Sequence, residues 1–149
     1  MTLTDPFIVH RPEGATESWR VLAGGDRTGG QVTFGEALLA PGESGPPRHV
    51  HANEDESILV VSGVLTVHLG EETHEADAGA LVWMAREVPH QFENLGDEPV
   101  RAFGVITPAG LEKFFEWRDE FLASLSGPPT PEDIERILDM NAQYGIRPA

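Results

Sequence analysis

The sequence predicts an all-β sandwich or barrel in a single domain, followed by two helices. Three observations carry this. Short runs rich in Val, Leu, Phe and Trp recur between Gly and Pro residues, of which there are 16 and 12. Short strands at regular spacing with turn signals between them are the pattern of a sandwich or barrel. Within Val64–Leu69, apolar Leu65, Val67 and Leu69 alternate with Thr66 and His68, the period of a half-buried strand. After Pro108 the apolar spacing changes to three and four, the period of a helix. A chain of 149 residues suits one domain over 1–149. At that size roughly 70% of the unfolded surface can be buried, enough for one core.

In chain order, the expected strands are Trp19–Ala23, Gln31–Ala40, Ser57–Ser62, Val64–Leu69, Ala80–Met84, Val88–Asn94 and Val100–Thr107, with the barrel over about 31–107. Gly24 to Gly30 is Gly-rich but lacks the Gly-Lys-Ser/Thr ending of a phosphate loop, so it reads as a flexible hairpin loop. Gly63 separates two strands where a tight turn needs positive φ. An amphipathic helix is expected over about 110–125, with Leu111, Phe114, Phe115, Phe121 and Leu122 on its face. Ser126-Gly127-Pro128-Pro129 ends it. Thr130 then caps a second helix over about 131–143, with Pro131 first and Glu132 and Asp133 in the opening turn. Phe114, Phe115, Trp117 and Phe121 are expected to pack on the sheet, with a lid over a site as the functional alternative.

Composition narrows the function. There is no cysteine, which excludes disulfides, thiolate metal sites and cysteine nucleophiles. The net charge of −15, from 25 acidic and 10 basic residues, argues against nucleic acid and anionic membrane partners. No run is apolar for long enough to span a bilayer, and Met1 to His10 has no signal-peptide pattern. A cytoplasmic address is therefore expected. No Gly-x-Ser-x-Gly elbow is present, which disfavours a serine hydrolase.

The chemistry gathers between His49 and Asn94. In a strand, residues two apart face the same side, so His49 and His51 can address one ion if that piece is extended. Pro46-Pro47 argues against helix there. With Glu56 and His90 the set becomes three imidazoles and a carboxylate. That set suits a divalent transition ion, whether iron, nickel, cobalt, manganese, copper or zinc. An octahedral ion would keep about two positions free for chemistry. Imidazoles must be neutral to coordinate, so metal affinity is expected to fall below about pH 6. His90, Phe92 and Asn94 share one face, and so do Glu56, Ile58 and Val60. Ile58, Val60 and Phe92 are thus expected to line an apolar substrate pocket. Glu54, Asp55 and Glu87 are expected to be solvated, and His10, His68 and His74 to be surface histidines.

Two motifs organise this stretch. One is His49-x-His51-x4-Glu56-x6-Gly63, preceded by Pro41-Gly42. The other is Gly79-x5-Ala85-x-Glu87-x2-His90-x3-Asn94. Together they resemble the paired motifs of the cupin superfamily. Ala85 stands where the family usually has proline and Glu87 where it usually has glycine. Six residues rather than five separate Gly42 from His49. The resemblance implies a double-stranded β-helix (jelly-roll) barrel with His49, His51, Glu56 and His90 as metal ligands. The gap between His51 and Glu56, the run Asn53-Glu54-Asp55-Glu56 and the tail Asn141 to Ile146 are similar to the quercetinase-type dioxygenases. That likeness implies ring cleavage of a flavonol or related polyphenol by dioxygen, with Glu56 as ligand or catalytic base. A polyketide cyclase or isomerase using the ion as a Lewis acid is the second expectation, and a non-catalytic binding barrel the third. Such barrels commonly pair, and Phe7-Ile8-Val9 could extend a partner's sheet edge in a homodimer.

Overall fold

The computed structural model describes residues 5–14 and 18–149. Two five-stranded antiparallel sheets face each other. The first runs β1 (Trp19–Ala23), β2 (Thr33–Leu39), β9 (Val100–Thr107), β4 (Asp55–Ser62), β7 (Leu81–Met84). The second runs β10 (Ile146–Pro148), β3 (His49–His51), β8 (His90–Glu93), β5 (Leu65–Leu69), β6 (Glu72–Ala76). This is the expected double-stranded β-helix. Helices α2 (Glu112–Ser124) and α3 (Pro131–Gln143) follow, as the change of period predicts.

Alternation places the core. Ile58, Val60, Leu65, Val67, Met84, Val100 and Ala102 are buried between the sheets, with Phe92 closing one side. A second cluster of Ile106, Leu111, Phe114 and Ile146 sits under the helices. Gly63 has φ 79°, and a Cβ there would stand 2.6 Å from the Pro99 carbonyl, so both conformation and space require glycine. Thr130 and Asp133 form a reciprocal cap on α3: the Asp133 N–H donates to Thr130 Oγ1, and Asp133 Oδ2 accepts from the Thr130 N–H at 2.8 Å.

Some elements depart from expectation. The Gly-rich loop contains one helical turn, α1 (Gly25–Thr28), closed by Gly29 in the left-handed region. Its Gly25 N–H donates to the buried Glu112 carboxylate, which also accepts from Thr33 and from Gly110 N–H. Strand β6 was not expected. It is an exposed edge whose one buried residue is Ala76, so no apolar alternation marks it. Residues 7–9 form no strand, and the Arg27 guanidinium lies 4.0 Å over the Phe7 ring. On the outer side of the first sheet Phe34, Leu59, Leu81 and Trp83 are exposed, and Leu59 is paired with Leu81. Clustered apolar exposure of this kind is typical of association surfaces. Among the described residues no helix is long and apolar enough to cross a membrane.

Trp19 fixes how the helices sit. Its six-membered ring lies over the paired glycines Gly35 and Gly104 of β2 and β9. A Cβ at Gly35 would come within 2.1 Å of the ring and one at Gly104 within 2.7 Å. The ring meets Phe115 of α2 edge-on, with centroids 5.9 Å apart. Gly104→Ala should therefore destabilise the fold by about 1–3 kcal/mol, as overpacking does. Urea unfolding followed by tryptophan fluorescence measures the loss, and an unchanged midpoint would contradict the assignment.

Candidate metal centre and cavity

The pairing of β3 with β8 sets His49 directly opposite His90. His51, two residues along β3, shares the inward face. Glu56 enters from β4 in the facing sheet. All four are buried, and one ligand atom from each lies within 4.8 Å of every other. His49 Nε2 and His51 Nε2 are 3.0 Å apart, and Glu56 Oε2 is 3.5 Å from His51 Nε2 and 3.8 Å from His90 Nε2.

The hydrogen bonds behind the rings say which nitrogens are offered. A carbonyl can only accept, so His49 Nδ1–H donates to Pro47 O at 2.8 Å and His90 Nδ1–H to Val88 O at 2.9 Å. Both Nε2 lone pairs are thereby turned to the common centre, the usual arrangement behind metal-binding imidazoles. His90 Nε2 is buried with no hydrogen-bond partner, a costly state that an ion would relieve. Ligands about 2.1 Å from one ion stand roughly 3 to 4.2 Å apart. The separations of 3.0, 3.5 and 3.8 Å fall in that range, and no ligand atom lies more than 4.8 Å from another, so the donor set could hold a single ion.

Burial disfavours charge on the rings. His49 is pushed down to about 4, chiefly by desolvation and then by the neighbouring His51 and His90. His90 is lowered as well, for the same first reason. Burial alone would raise Glu56, but its bond to His51 and the surrounding imidazoles hold it below the ordinary carboxylate range. His49 and His90 thus stay unprotonated to lower pH than free imidazole.

Glu54 is not solvated as expected: it is buried, and desolvation raises its pKa. It shares the inward side with Glu56, two residues on, a period-two signal already present in the sequence. Its Oε2 and His51 Nδ1 are both buried without partners, 3.8 Å apart. Asp55 points the other way and chelates Arg86, at 2.7 Å from Nη2 and 3.2 Å from Nε. Glu87 is exposed and pairs with Arg147 of β10. With φ 65° it is the one non-glycine with positive φ among the described residues, at the position where the resemblance expects glycine. His10 and His74 lie at the surface, while His68 is half-buried between Thr73 and Glu93.

His49, His51 and Glu56 open onto a cavity of about 510 Å³, a size that suits a small organic molecule, while His90 lies fully buried behind it. Phe92 lines it, as do Trp19, Leu39 and Ile106 of the barrel. Ile58 and Val60, expected there, are packed instead in the core between the sheets. The far wall is made by Phe114, Phe115 and Arg118 of α2, by Ile134, Ile137, Leu138 and Asn141 of α3, and by Ile146 and Pro148 of β10. The sequence marks the α2 and α3 residues as apolar helix faces and offers a place over a site only for those of α2, while β10 carries no such signal. Strand β10 lies beside β3, with Ile146 paired to His51 and Pro148 to His49.

A double-stranded β-helix carrying three histidines and a glutamate at one centre defines a small barrel of the metal-site type. Residues 35–106 match the cupin domain family. Over 75 residues it is 34% identical to a protein named polyketide synthase CurC from Streptomyces cyaneus, covering 50% of this chain and 48% of that one. The chain thus spans about half the length of this curated relative. A sugar phosphate isomerase of the cupin superfamily from Silicibacter pomeroyi is 29% identical, with TM-score 0.53 over 60% of this chain and 59% of that one. An RmlC-like cupin from Methanocaldococcus jannaschii shares the fold at 18% identity and TM-score 0.58, over 74% of this chain and 96% of that one.

The depressed His49 makes metal-free protein acid-sensitive. Above about pH 6.5 the ring is neutral folded and unfolded, and contributes nothing. Below that the unfolded ring takes a proton that the folded one refuses until about pH 4. Metal-free protein should lose on the order of 3 kcal/mol through this group between those limits. Urea midpoints across the range measure it, and His49→Gln should flatten the fall.

Proposed function

We propose that the protein is a metal-dependent enzyme acting on a flat, oxygen-bearing aromatic substrate of the polyketide or polyphenol kind. The observation that carries this reading is a four-ligand set opening directly onto an apolar, aromatic-walled cavity. His49, His51 and His90 would hold the ion, and Glu56 would be either a fourth ligand or the base that takes a proton from an acidic hydroxyl. When bound, the ion supplies Lewis acidity toward an enolic oxygen. Phe92, Leu39 and Ile106 exclude water and press on the faces of the substrate. The similarity to a polyketide synthase protein favours an oxygen-independent ring closure or isomerisation. The spacing of His51 and Glu56, which resembles the quercetinase type, favours dioxygen-dependent ring cleavage as the second reading.

Metal analysis of freshly purified protein should find about one transition ion per chain. His90→Ala should lower that content at least about tenfold at the same protein yield, since first ligands matter no less than the groups that orient them. Retention of the ion in that variant would contradict the ligand assignment.

Turnover of aromatic polyketides and flavonols, followed under argon and then in air, separates the two chemistries. Product under argon supports the oxygen-independent reading. Product only in air, with matching oxygen uptake, supports the dioxygenase. No metal-dependent product from either class would overturn the proposal.

A further inference from the structure

The family match ends at residue 106, yet much of the cavity wall comes from later residues. Helix α3 has no buried residue. Its Ile134 and Leu138 are 50% and 45% exposed although they line the cavity, so this part of its apolar face meets open space, while Met140 packs against the second core cluster. An apolar molecule in the cavity would cover that face.

Charge singles out one more property of the occupant. Acidic residues outnumber basic ones by 25 to 10 in the chain. Among the cavity-lining residues the order is reversed, with two cations, Arg48 and Arg118, to one carboxylate, Glu56. Arg48 is engaged by the Gly70 carbonyl, with Glu71 at 3.8 Å. Arg118 bonds only weakly competing company, the adjacent and largely exposed Asp119 at 2.8 and 3.0 Å. Its guanidinium carbon lies 5.4 Å from the Phe115 ring centroid and 5.9 Å from that of Phe114. Trp19, against the same Phe115 ring, carries a buried indole N–H with no acceptor. A cation therefore stands beside an aromatic wall of the cavity.

We propose that the α2–α3 segment makes this cavity a receptor for a flat aromatic anion, with Arg118 reading the acidic group. This deepens the substrate side of the reading above and rests on it, but requires neither bound metal nor turnover. Arg118 is a specificity-determining residue: a carboxylate or enolate displaces Asp119 and gains a charge-assisted bond in a water-poor site. The ester of the same molecule cannot.

The test compares 1-hydroxy-2-naphthoate with its methyl ester, by titration calorimetry, on metal-loaded and chelator-treated full-length protein. The acid should bind roughly tenfold tighter than the ester, the gain of one charge-assisted hydrogen bond. Arg118→Met, which keeps an apolar stem, should weaken the acid to the ester's level and leave the ester within about twofold. Arg118→Lys should restore part of the preference. Equal binding in the unaltered protein, no binding of either compound, or a preference that survives Arg118→Met would overturn the proposal. So would a preference that vanishes on chelation, since the ion would then be the reader. Preference without turnover would sink only the enzyme reading; turnover without preference would sink only this one.

Discussion

The candidate centre depends on one cross-strand pair. Strand β3 meets β8 only at His49 opposite His90, and through that contact two segments forty residues apart in the motif converge on one point. Everything else at the centre follows from strand geometry. His51 comes inward because it is two residues from His49, and Glu56 arrives from the facing sheet. A slip of one residue in β3 would turn both of its imidazoles away from the ion position and present Val50 instead. The carbonyls of Pro47 and Val88 complete the arrangement by fixing which ring nitrogen is bare.

Around that centre the barrel and the helices divide the labour. The barrel supplies the ligands and a closely packed floor. The helical segment supplies an irregular, partly open wall, and buried Glu112 fastens its start. That carboxylate accepts from Gly25, Thr33 and Gly110, so α1, β2 and the entry to α2 share one anchor. Burial alone would raise its pKa, but the bond from Thr33 and the backbone N–H groups hold it below the usual range. Trp19, seated on Gly35 and Gly104, is the corresponding link through apolar contact. Fold and ligands alone do not name a substrate; here the appended wall is the part of the chain with the means to choose one.

Much of this was legible in the sequence, and the rest was hidden for physical reasons. The ligand set could be read because strand period and motif spacing are local quantities: His49 and His51 need only an extended backbone to face one way. Strand β6 could not be read, because Glu72 to Glu75 bury nothing and so carry no periodicity. Strand β10 is three residues long, shorter than any pattern. Ile58 and Val60 share the inward face with Glu56, as alternation requires, but that face is shared between core and cavity. Which side chains line the opening depends on how deep the helices sit. Three consecutive acids at Glu54 to Glu56 suggest water, but alternation puts the first and third on the same side, and Glu54 is buried.

Strand β10 has a consequence for the order of events in assembly. The segment bearing His49 and His51 gains the partner along its second edge from residues about a hundred positions further on. Contacts so distant in sequence are slow to form, because a large loop must close first. The scaffold of the candidate ligands His49 and His51 is thus completed by the chain's C-terminal strand. A candidate ion site whose scaffold is closed by contacts this distant in sequence differs from small zinc modules, which fold around their metal.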